Sequence, residues 1–301
     1  HIAYTRGMTT VALEEFQKLE SDPMFSRIVP YYIAQIYYQQ REYNKVIEYV
    51  TPRLDSVSGK RKGELERAVA ESYFRMGEYE KALPYLEHYV KGAGALSRDD
   101  NYLAGFVYYR NEDYPAAARY FEQVEGATDS LSQNTYYHLA DCYLHMERRD
   151  RACQALQSAA SMDFDKEIQA DAQFNYAKLT YELRYLPFAD AVEAFLKFIE
   201  TFPNSLRVDE AYTYLGMAFT ETKNYQKALD ALERIKQPNA NTKRAMQRAA
   251  YFRGVELMQN LRFEQAEAMF ARSLESSEYD PDLRAKALYW RAESLYRLQR
   301  Y

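Results

Sequence analysis

The stretch Gly77-Glu78-Tyr79-Glu80-Lys81-Ala82-Leu83-Pro84-Tyr85 is one copy of a phrase that returns along the chain. It stands earlier as Arg41-Glu42-Tyr43-Asn44-Lys45-Val46-Ile47-Glu48-Tyr49 and later as Glu112-Asp113-Tyr114-Pro115-Ala116-Ala117-Ala118-Arg119-Tyr120. Lys223-Asn224-Tyr225-Gln226-Lys227-Ala228-Leu229 is a further copy, and Arg148-Arg149-Asp150-Arg151-Ala152 a fainter one. Self-similarity at a period of roughly 20–50 residues marks a repeat architecture. Ahead of each phrase lies a helical stretch with a small residue and an aromatic three positions on, as in Ala70 with Tyr73 and Ala140 with Tyr143.

The small residues measure the period. Ala34, Ala70, Gly105, Ala140, Ala177, Gly216, Gly254 and Ala292 are 36, 35, 35, 37, 39, 38 and 38 residues apart. A second series, Ala12, Val46, Ala82, Ala117, Ala152, Ala191, Ala228 and Ala266, keeps nearly the same step. Four residues after each of these stands a large apolar residue: Phe16, Val50, Leu86, Phe121, Leu156, Phe195, Leu232 and Phe270. Each unit is therefore helix A, a short turn and helix B. Small residues let the two axes approach, and bulky ones fill the next groove. The expectation is an all-α chain of antiparallel helix pairs, about seven full repeats with partial repeats at both ends.

These residues resemble the tetratricopeptide repeat family, over essentially the whole chain. Tyr214-Leu215-Gly216 with Phe219, and Gly77-Glu78-Tyr79 with Ala82 and Leu86, carry the likeness. The departures are a period longer than the usual ~34, Arg149 in place of the turn aromatic, and an apparent two-residue insertion at Tyr185-Leu186-Pro187. The resemblance implies a right-handed superhelical solenoid. The irregular fifth unit divides it into an arm over 1–166, a partial repeat plus four, and an arm over 167–301, three repeats plus helix A of another. Both termini fall inside a repeat, so the chain is expected to be a piece of a longer array.

Composition narrows the function. The net charge of −5 disfavours a nucleic-acid phosphate backbone as main partner. No apolar run approaches the roughly 20 residues that span a bilayer. The chain lacks a Walker glycine loop, GxSxG, HExxH and CxxC, so it is expected to be non-enzymatic and without a cofactor. His138, Cys142 and His145 share one helix face at i, i+4 and i+7, with Cys153 or Asp141 as a fourth group for Zn²⁺. This metal reading is the least favoured, because structural zinc sites usually draw ligands from two elements. Asp99-Asp100 are expected to act as helix N-terminal charges.

What remains is surface. The chain holds 30 Tyr, 15 Phe and 1 Trp, and tyrosine's apolar body and polar tip suit a groove wall. In the family it resembles, a concave wall built mostly from helix A is the usual seat of an extended peptide or partner helix. Projected onto this chain, that wall is Tyr31, Gln35 and Tyr38; Arg67, Glu71 and Phe74; Tyr102, Phe106 and Tyr109; then Tyr137, Asp141 and Leu144. Stacked aromatics lose little rotamer entropy on contact, as binding hot spots require. The carboxylate clamp of chaperone-binding members is missing: its places hold Tyr31, Gln35, Ala68, Asp99 and Leu103. Phe202-Pro203-Asn204-Ser205 leading into Asp209-Glu210-Ala211-Tyr212 is similar to segments of Gram-negative envelope tetratricopeptide proteins, which leans toward a periplasmic or outer-membrane-associated setting. The sequence thus points to a protein- or peptide-binding scaffold. The alternative is a sensory or regulatory array fused to a signalling output domain.

Overall fold

The computed structural model describes residues 5, 8–124, 127–183 and 187–300. Tyr185 and Leu186 of the expected insertion, and the final Tyr301, lie outside them. Among the described residues there are sixteen α-helices and no strand. Helices A are α2 (Val29–Gln39), α4 (Lys60–Arg75), α6 (Arg98–Arg110), α8 (Ser130–His145), α10 (Lys166–Glu182), α12 (Val208–Glu221), α14 (Ala240–Gln259) and α16 (Pro281–Arg297). Helices B are α1 (Thr9–Lys18), α3 (Tyr43–Val50), α5 (Tyr79–Gly92), α7 (Tyr114–Phe121), α9 (Arg149–Ala160), α11 (Phe188–Thr201), α13 (Tyr225–Leu232) and α15 (Phe263–Leu274). The helix-by-helix order read from the two residue series is the order found. Two compact units divide the chain, His1–Arg148 and Arg149–Tyr301. α8 belongs to the first and α9 to the second, and each unit is described by itself. No helix among the described residues is long and apolar enough to cross a membrane.

The small and large series meet face to face. A Cβ added to Gly105 would lie 2.5 Å from the Phe121 ring, one on Gly216 2.6 Å from Leu232, and one on Gly254 2.7 Å from Phe270. Each distance is shorter than carbon–carbon contact, so the glycines are there to admit the bulky partner. Where the partner is Val50 or Leu86, an alanine suffices: Ala34 shares a buried cluster with Val50, and Ala70 with Leu86.

The A-to-B turn is also one device repeated. After α2, the Arg41 N–H donates to the Tyr38 carbonyl and the Glu42 N–H to that of Tyr37, at 2.9 Å each. This double bond caps the helix and needs a left-handed residue just past its end. That residue is Arg41, Gly77, Glu112, Glu147, Lys223, Leu261 and Gln299 at seven exits among the described residues, with φ between 57° and 78°. Six of the seven carry a side chain, which the left-handed region penalises by roughly 1–2 kcal/mol. Glu112→Gly and Lys223→Gly, both exposed, are therefore expected to raise stability by about 1 kcal/mol each. Gly77→Ala is expected to lower it similarly. Urea midpoints measure all three, and a lowered midpoint in both glycine variants would contradict this account of the turn.

Helix starts are capped from the side chain at Ser97, Asp129, Asp165, Asn239 and Asp280. Within each unit a helix A touches its own B, the B before it and the next helix A. Within each unit, successive helices B make no close backbone approach among the described residues. Helices A therefore form the continuous wall of each unit.

Candidate functional site

The wall of the first unit is built from α2, α4, α6 and α8. Tyr31, Gln35, Tyr38, Arg67, Glu71, Phe74, Tyr102, Phe106, Tyr109, Tyr137 and Asp141 are all half-buried there, and Leu144 is exposed. The structure divides them into two kinds. The polar ones mostly tie one helix A to the next. Tyr38 donates to Glu71 at 2.5 Å, Tyr109 to Asp141 at 2.7 Å, and the Arg67 Nε to Asp100 at 2.5 Å. Arg67 Nη1 also reaches Glu71, at 3.2 Å.

The aromatic ones form a strip. Phe74 meets Phe106 edge to face at 5.4 Å, and Tyr102 and Tyr109 flank Phe106 at 6.0 Å each. His138 continues it, 5.0 Å from both Phe106 and Tyr109 and 5.6 Å from Tyr137. Tyr31 stands apart from this strip, edge-on to Tyr32 at 5.5 Å. The turn aromatics join in: Tyr79 contacts Phe74 and Phe106, and Tyr43 contacts Tyr38.

Protonation follows from this packing. Burial, and then the bond to Glu71, push the Tyr38 phenol up to about 12, so it stays a donor. Burial and the bond to Asp141 raise Tyr109 as well. Burial brings the His138 imidazole down to about 4, so it is neutral at pH 7, and its buried Nδ1 has no hydrogen-bond partner among the described residues.

The residues considered for zinc do other work. His138 sits among rings, burial pushes the Cys142 thiol up to about 12, and His145 stacks on Tyr114 at 4.0 Å. Both cysteines are free thiols. Among the described residues no three His, Cys, Asp or Glu side chains gather to hold a metal ion.

Two features escaped the sequence. Asp100, expected only as a helix-terminal charge, is also the partner of Arg67, 33 residues earlier. Trp290 and Phe263 in the second unit line a cleft of about 280 Å³ with Met258, Leu261, Glu293 and Arg297. The repeat period could have indicated both, because each links neighbouring repeats.

Comparison with known proteins agrees with this architecture. The family described as Tetratricopeptide repeat matches residues 67–129, 102–173, 188–241 and 251–301, more than half of the chain. The chain belongs to the tetratricopeptide repeat family. Tetratricopeptide repeats are scaffolds typical of protein or peptide binding and are generally non-catalytic. The human Intraflagellar transport protein 88 homolog is 21% identical over 290 residues, covering 91% of this chain and 33% of that protein. The chain thus spans about a third of the length of the curated relative it matches. Among solved tetratricopeptide structures, the C-terminal part of a TPR repeat-containing protein from Cytophaga hutchinsonii is 14% identical. It covers 86% of this chain and 98% of its own, with a TM-score of 0.49. YrrB, a TPR protein with an unusual peptide-binding site, is 20% identical, covering 66% of this chain and 95% of its own, with a TM-score of 0.49.

Proposed function

We propose that this chain is a non-enzymatic scaffold that takes an extended peptide or partner segment along the helix-A wall of its first unit. The observation that carries the proposal is the ring strip Phe74, Tyr102, Phe106, Tyr109 and Tyr137, half-buried at the positions projected for contact. Rings that are half-covered are already ordered, so a ligand immobilises little when it lands on them. The Tyr38–Glu71, Arg67–Asp100 and Tyr109–Asp141 links fix the spacing between successive helices A and so hold the strip in one shape. The division of the chain into arms over 1–166 and 167–301 is kept in this proposal, with the wall in the first arm.

An affinity selection from a library of extended peptides, followed by anisotropy titration, tests the wall. Phe106→Ala, with helicity checked by circular dichroism, is expected to weaken selected peptides about tenfold or more, as loss of a central anchor does. Unchanged affinity of every selected peptide in a folded Phe106→Ala protein would place binding elsewhere.

A further inference from the structure

The joints between successive helices A share one register, and two of the three joints in the first unit fill it with the same trio, while that of α4 and α6 holds Phe74, Phe106 and Arg110. Counting from the small residue of each helix A, position +4 of one helix faces positions +1 and +5 of the next. In the joint of α2 and α4 these are Tyr38, Glu71 and Arg75: the phenol donates to the carboxylate at 2.5 Å, and the guanidinium stands 3.7 Å from it. In the joint of α6 and α8 they are Tyr109, Asp141 and His145, with a phenol–carboxylate bond of 2.7 Å and the imidazole at 3.7 Å. Phenol, carboxylate and a basic group recur together.

In the joint of α14 and α16 the carboxylate and the cation are present and the phenol is not. Glu293 stands at +1 and Arg297 at +5, joined at 2.8 Å, but position +4 is Met258, whose sulfur accepts from the Ser294 hydroxyl at 3.1 Å. The cleft of about 280 Å³ lies here, lined by Met258, Glu293 and Arg297.

A second register points to the same place. The aromatic that opens helix B and the residue two before the next small residue make a ring pair in the preceding joint, Tyr225 on Phe252 at 5.6 Å. Their equivalents are Phe263 and Trp290. Both line the cleft, and among the described residues no ring contact joins them.

We infer that this cleft receives a tyrosine side chain from a bound partner. The guest ring sits between Phe263 and Trp290, and its hydroxyl donates to the Glu293 carboxylate as Tyr38 does to Glu71. The volume suits one side chain; small-molecule sites run to about 300–1,000 Å³. An aliphatic guest would leave the acceptor unused. The inference is independent of the first unit's wall, since the cleft lies wholly in the second.

Trp290 is the only tryptophan in the chain, so its single indole N–H resonance reports on the cleft. The probe is p-cresol, the tyrosine side-chain analogue, titrated into the whole chain, with 4-methylanisole as the comparator that cannot donate. A saturable shift is expected with p-cresol, about fivefold weaker with 4-methylanisole, the worth of one hydrogen bond. Met258→Tyr, which supplies the missing phenol from within, is expected to abolish the response. Glu293→Leu is expected to erase the preference between the two probes while leaving the ring contact, and it keeps the test open if Met258→Tyr does not fold. A p-cresol shift that stays linear, or one that saturates identically in Glu293→Leu, would overturn the inference.

Discussion

Phe270→Ala is expected to destabilise the second unit by about 3–5 kcal/mol, the usual range for emptying a buried phenylalanine site. Phe270 has no exposed surface and lies in a cluster with Tyr251, Leu257, Ala266, Leu283 and Ala287. Its ring covers Gly254, so that an added Cβ there would come within 2.7 Å. Truncation opens a cavity that three helices would have to move to close. In repeat arrays stability sums over local interfaces, so amide exchange should accelerate in α14, α15 and α16 while the first unit keeps its protection. Gly254→Ala alone is expected to cost about 1–3 kcal/mol by overpacking. Combined with Phe270→Ala, the same methyl enters empty space, and the pair should be milder than the sum by about 0.5–3 kcal/mol. Additive losses would mean that the two residues do not share the contact described.

This interface was legible in the sequence because it depends on size and spacing alone. Gly105, Gly216 and Gly254 each stand 16 residues before the large residue they admit, and that spacing returns a helix, a turn and a helix. The exit turn was legible for a different reason. Gly77 announces a left-handed residue, and the tyrosine two places on opens helix B. That six other chain positions adopt the same φ with a side chain attached was hidden, because the double carbonyl cap enforces it and no residue type marks it. The turn aromatic has its own exception in Arg149, which pairs with Glu182 at 3.6 Å instead of stacking.

The wall was legible as a set of positions but not as a division of labour. Helical projection places Tyr38 beside Glu71, yet only the structure shows that the phenol is spent on that carboxylate while Phe106 is packed by its edges. The Phe202-Pro203-Asn204-Ser205 segment illustrates the same limit. Phe202 packs on Phe198 at 5.8 Å, the Ser205 N–H donates to the Phe202 carbonyl at 3.0 Å, and the Val208 N–H to that of Ser205 at 3.1 Å. With Ala211 buried and Tyr212 packed behind it, the motif is accounted for as the joint that turns α11 into α12. Repeat geometry alone explains those residues, whatever the cellular setting.

Arg67→Leu is expected to cost about 2–4 kcal/mol at neutral pH, because it leaves the Asp100 carboxylate buried without its cation. The Asp100 side chain is 9% exposed and meets the Arg67 Nε at 2.5 Å. Ser97 Oγ and Tyr89 Oη also donate to it, at 2.6 and 3.1 Å. Burial pushes this carboxyl up, but the bonds from Ser97 and Arg67 outweigh it and hold the group below the usual aspartate value. In the native protein its stabilising contribution is therefore full above the unfolded-state pKa, and it is lost as pH falls through the folded one. Without Arg67 the burial effect is opposed by the Ser97 and Tyr89 hydroxyls and the Ser97 backbone N–H, and the folded carboxyl moves up. If it rises past the unfolded value, protonation favours folding and the sign reverses. The gap between Arg67→Leu and the native protein should then narrow from pH 7 to about pH 4, near the ordinary aspartate range. Asp100→Asn added to Arg67→Leu should recover part of the loss at pH 7, since the amide needs no counter-charge. Urea denaturation at both pH values measures this. An equal loss at pH 7 and pH 4 would show that Arg67 acts through the packing of its stem, and the inter-repeat link would then be apolar rather than ionic.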